Sequence, residues 1–145
     1  MSGLYLALGL VVFALNLAAA ALGGLAWQAN RLSMTFWYLL RIAQVATIIF
    51  VIFECVLYAA GHRSEDGLHY LYVFLPIIAS LCAEAMRGAS ASQELGETDF
   101  ESLSEERQQK VGLAIVHRET GVMSVGAFVV AFLIWRALST TGGMF

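Results

Sequence analysis

One proline, two cysteines and a charged fraction of only 13% leave this 145-residue chain without three things many domains rely on. With Pro76 as the sole proline, long helical runs elsewhere meet no hard breaker. Cys55 and Cys82 each fall inside an apolar run and offer neither a paired-cysteine framework nor a zinc spacing. In straight helices they would differ by about 13 Å in depth at 1.5 Å rise per residue, too far for a disulfide, which needs Cα atoms within about 7 Å.

The scarcity of charge excludes more. A soluble domain is about one quarter charged, and half that density is too little to clothe a globule of this size. With eight Lys and Arg residues and a net charge of −3, there is no basic face with interleaved aromatics, so no nucleic-acid partner is expected. No nucleophile stands beside a base, and no phosphate-binding or dinucleotide motif appears in its required context. No catalytic residue or cofactor signature is read, and the chain is not expected to be an enzyme.

What it has instead is oil in blocks. Hydrophobic residues make up 59% of the chain and the mean hydropathy is +0.74. Apolar runs near 3–27, 34–60, 70–86 and 121–138 are each about as long as a bilayer core demands, roughly 17–25 residues. The first run has no charged segment before it, so it is expected to stay in the membrane and not to be cleaved as a signal peptide. The fold class is an all-α integral membrane protein. It is expected to be one domain, 1–145: an antiparallel up-down bundle of four transmembrane helices over about 3–27, 34–60, 68–90 and 104–138.

Local signals set the boundaries. QANRLS is a short turn, and Phe36-Trp37-Tyr38 reads as an interfacial aromatic belt. Gly61 and the polar HRSEDG separate helices 2 and 3. Helix 3 is expected to continue past Arg87 into GASASQEL before the acidic ELGETDFES breaks it. Ser102-x-x-Glu105 has capping-box spacing. From there nothing stops a helix of some thirty-five residues, so helices 3 and 4 are expected to project beyond the membrane. Arg31, Arg41, Arg87, Arg107, Lys110 and Arg118 fall on one side, Arg63 and Arg136 on the other. Positive charge favours the cytoplasm, which predicts a multi-pass cell-membrane protein with both termini outside and residues 28–33 and 88–118 cytoplasmic.

The candidate site is a polar seam. On a wheel of 100° per residue, Arg41, Gln44, Thr47, Glu54, Cys55 and Tyr58 share an arc of about 140°. Helix 3 aligns His69, Pro76, Ser80, Glu84 and Arg87; helix 4 aligns His117, Thr120, Ser124, Ala131 and Trp135. Helix 1 aligns Gly9, Asn16, Ala20, Gly23 and Trp27, small residues that let backbones approach. Ionisable groups cost at least a few kcal/mol against lipid, so all four faces should turn inward. Depth predicts two clusters: Arg41 with Glu84, beside Gln44, Arg87 and His117; and Glu54 with Tyr58 and His69. Between them lie only Asn16, Thr47, Ser80 and Ser124.

Three functions are weighed on that seam. The leading expectation is a non-enzymatic helix-bundle subunit or homo-oligomeric membrane component, its partners being the lipid bilayer and another copy or another membrane protein. The alternative is a proton or small-ion translocator using Glu54 and the Arg41–Glu84 pair, since a desolvated carboxyl titrates in a useful range. The third is a metal- or haem-binding redox subunit resting on His62 and His69, with Glu54 or Asp66. Ligand spacing for that is missing. His69 and His117 lie near opposite ends of the seam, too far apart for one haem.

Overall fold

The computed structural model describes residues 2–95 and 103–141. All regular structure among them is helical: α1 (Ser2–Gln28), α2 (Met34–Ala59), α3 (Leu68–Leu95) and α4 (Glu105–Ser139). All four are long and apolar enough to cross a membrane. Each begins and ends within a few residues of the expected bounds, except that α3 runs on to Leu95, because GASASQEL contains no residue that stops it.

The turns are made by capping chemistry. α1 closes at Asn30, whose φ of 50° is left-handed. There the Arg31 amide donates to the Ala26 carbonyl at 2.9 Å and the Asn30 amide to Trp27 at 3.2 Å, the paired bonds of a Schellman ending. Gly61, at φ 90°, closes α2 the same way, with His62 N–H donating to the Leu57 carbonyl at 3.0 Å. Ser33 opens α2 by accepting from the Phe36 amide at 3.2 Å, satisfying one of the orphan donors of a helix start. Asp66 accepts from the Leu68 amide at 2.9 Å and sets the first turn of α3. The N-cap of α4 is Ser104, with no side-chain capping bond. Ser102 and its capping-box spacing lie outside the described residues.

Packing is uneven around the bundle. α1 and α4 pack most closely, α3 packs on α4, and of the four neighbouring pairs α2 and α3 touch least. Small residues explain the tight side: Ala19 and Ala20 of α1 and Ala127 of α4 are buried in one cluster with Ala83 and Met123. A Cβ added to Gly23 would come within 2.5 Å of the Phe36 ring and 2.9 Å of Ser124 Cβ. Backbones this close leave no room for larger side chains.

The second core cluster gathers Tyr5, Val12, Phe50, Leu57, Val130 and Ile134. Pro76, buried within α3, removes one intrahelical bond without ending the helix. The bundle's outside is apolar: Ile42, Ile49, Phe128 and Phe132 are each more than half exposed. A water-soluble bundle would place charge on those faces.

Candidate functional site

At one end, the start of α1, the end of α2, the start of α3 and the end of α4 converge on His69. His69 is fully buried and Glu54 nearly so. Nε2 lies 2.7 Å from Glu54 Oε1, while Nδ1 lies 3.1 Å from both the Ala137 carbonyl and the Thr140 hydroxyl. A carbonyl oxygen only accepts, so Nδ1 carries a proton and donates it. Nε2 and Oε1 then share one further proton. The pair is either imidazolium with carboxylate or imidazole with carboxylic acid, neutral in sum both ways.

Tyr5 of α1, which sequence reasoning missed, forms the wall beside the pair. Its ring lies 5.4 Å from Phe50 and 6.5 Å from His69, and its phenol interacts with the Glu54 carboxyl. Its only signal in the sequence was a single tyrosine near the start of the first apolar run. Tyr58, expected in this cluster, is turned partly outward and meets Tyr70 edge-on at 5.2 Å. It carries the Arg63 guanidinium over its ring at 4.7 Å. Ser64 joins the α2–α3 connection to the end of α4, its hydroxyl donating to the Thr140 carbonyl at 2.7 Å.

At the other end, Arg41 pairs with Glu84 and donates to Gln44 Oε1 at 2.7 Å. Gln44 Nε2 donates to Glu84 at 3.0 Å, and Arg87 Nε donates to the second Glu84 oxygen at 2.8 Å. Arg87 also reaches Glu119 of α4 at 3.8 Å. Glu119 was not anticipated: the sequence places it on α4 but does not reveal the turn at which α3 and α4 meet. Two arginines and two glutamates balance. With Arg41 half exposed, this network is looser than the His69 pair. His117 lies 6.1 Å from the Trp27 ring, in a groove shared with Asn30, Arg31 and Thr120.

Between the ends, Asn16 Nδ2 donates to Thr47 Oγ1 at 3.1 Å and Ser124 donates to the Ala20 carbonyl at 2.7 Å. Ser80 lines a crevice of about 220 Å³ with Arg41, Gln44 and Glu84. Val51 and Val73, each one turn inward from the Glu54–His69 pair, are buried together and separate the two polar ends. Asn16→Leu is expected to lower stability by less than about 1 kcal/mol, the usual scale of an interhelical bond in a membrane. Thr47 keeps its own bond to the Ala43 carbonyl. Equilibrium unfolding in micelles measures this, and a loss several times larger would mean that the mid-bundle pair dominates the packing.

Cys55 and Cys82 are free thiols on the exposed surface. Among the described residues no three His, Cys, Asp or Glu side chains come together to hold a metal, and His69 spends both ring nitrogens on protein partners. The arrangement defines a bundle of four helices, each long and apolar enough to span a membrane, with an internal polar seam. Compared with protein-family models, curated proteins and solved structures, the chain matches none.

Proposed function

We propose that the chain is a multi-pass membrane protein acting as a non-enzymatic bundle component, assembled with further copies of itself or with another membrane protein. In this reading the helices cross up-down, both termini lie outside, and the ends of α3 and α4 extend into the cytoplasm. One observation carries it. The seam's polar groups bond mainly to one another across helix interfaces, while the outward faces are oil. Such bonding fixes register and spends the polar chemistry on packing.

Native mass spectrometry of the detergent-solubilised protein tests the proposal. A discrete multimer or a co-purifying membrane protein is expected; a strictly monomeric chain would overturn it. A second reading, proton or small-ion translocation, is favoured by a separate observation: the loose α2–α3 boundary has a crevice at each end, each lined by a carboxylate. The buried Val51–Val73 layer between them argues against an open path. Under this second reading, Glu54→Gln abolishes a proton flux in proteoliposomes while leaving the bundle folded. Under the packing reading, wild type and variant leak alike. A redox subunit would announce itself by visible absorption, and a flat Soret region would end that alternative for haem.

A further inference from the structure

The crevice at the His69 end has a chemistry that packing does not use. It encloses about 350 Å³ between α2 and α3 and is lined by Glu54, Cys55, Tyr58, Tyr70 and Phe74, a volume within the range of small-molecule sites. Three of its five walls are aromatic rings. A fourth is the Glu54 carboxyl, whose Oε1 is held by His69 and whose buried Oε2 makes no hydrogen bond of standard geometry among the described residues, the Tyr5 phenol being its interacting neighbour. Aromatic faces around a carboxylate are the chemistry that recognises organic ammonium ions: the rings attract the charge while accepting its apolar substituents. The protein's own cations already show the rings' affinity. Arg63 sits over Tyr58 at 4.7 Å, and Arg136 sits over the nearby Tyr72 at 5.4 Å.

We propose that this crevice binds a small organic cation, a substituted ammonium, with Glu54 as its counter-charge and Tyr58, Tyr70 and Phe74 as its aromatic walls. Cys55, Tyr58 and Tyr70 line the crevice with Glu54; behind Glu54 stand Tyr5 of α1 and His69 of α3, and Arg63 of the connection covers the Tyr58 ring. Because Glu54 and His69 share one proton and are neutral in sum, the arriving cation replaces that proton. The proton leaves the Oε1–Nε2 pair for water, Glu54 is left as a carboxylate turned from Nε2 toward the cation, and the imidazole keeps its Nδ1 proton on the Ala137 carbonyl. One cation enters and one proton departs. Arg63 competes for the Tyr58 face and repels the newcomer. The proposal stands on the crevice and is independent of whether the bundle packs, assembles or transports.

Isothermal titration of the purified full chain in micelles with benzyltrimethylammonium tests it, with neopentylbenzene as the uncharged equivalent. Saturable one-to-one binding is expected, at least tenfold tighter for the cation. Titrations in two buffers of different ionisation enthalpy should show about one proton released. Glu54→Gln should weaken binding at least tenfold and abolish the release. Phe74→Leu and Tyr58→Leu should weaken it severalfold, and Arg63→Gln should tighten it. Tyr58, Arg63 and Phe74 are all exposed, so their variants remain informative even if Glu54→Gln misfolds. Equal binding of the neutral compound, wild-type affinity in Glu54→Gln, or weaker binding in Arg63→Gln would each overturn the proposal.

Discussion

His69→Leu should be the most damaging single substitution at the seam, lowering stability by about 3–5 kcal/mol, the cost of breaking a buried pair by removing one partner. Leucine takes away the 2.7 Å bond to Glu54 Oε1 and the anchors at Ala137 and Thr140. Glu54 is then left buried, and neither of its protonation states finds a comparable partner. Glu54→Leu in the His69→Leu background should recover much of the loss, because replacing a buried pair by apolar residues of similar volume is often neutral or stabilising. Reversible unfolding of the four species in a double-mutant cycle gives the coupling directly. If each single substitution cost under about 1 kcal/mol, the pair would be no determinant of the fold.

Gly126→Leu comes next. A Cβ at Gly126 would stand 2.8 Å from the Ala83 Cβ, an atom fixed to the α3 backbone and unable to rotate away. Only separation of α3 from α4 relieves the overlap, which carries an overpacking cost of about 1–3 kcal/mol. Gly112 and Gly88 are the controls. Nothing lies within 4 Å of an added Cβ at either, so alanine there should be neutral or stabilise the helix by up to about 1 kcal/mol. The same unfolding measurement separates these cases. Equal tolerance at 126 and 112 would mean that α3 and α4 are not held at this spacing.

These two sites differ in how much a reader of the sequence could have known. Arg41 with Glu84, and Glu54 with His69, follow from depth alone: the groups lie at matching heights on sequentially adjacent helices, and charge shuns apolar surroundings. Tyr5, Glu119 and the Trp27 neighbour of His117 did not follow. Depth says nothing about which helix face meets which at a given turn, and all three depend on α4 lying against α1 and α3. Gly126 is likewise invisible as a close approach, since its contact is with a residue 43 positions earlier.

Four helices, their ends and their apolar exteriors were written in local chemistry: uninterrupted hydrophobic runs, Asn30 and Gly61 able to adopt left-handed backbone, and Ser33 able to cap. Such signals act over a few residues and so survive in a one-dimensional string. The uneven spacing of the bundle was not written there. Tight packing of small residues draws α1 onto α4 and leaves α2 and α3 apart, which opens the aromatic crevice beside Glu54. That gap is set by the summed volumes of side chains distant in the chain, and it exists only once all four helices have come together.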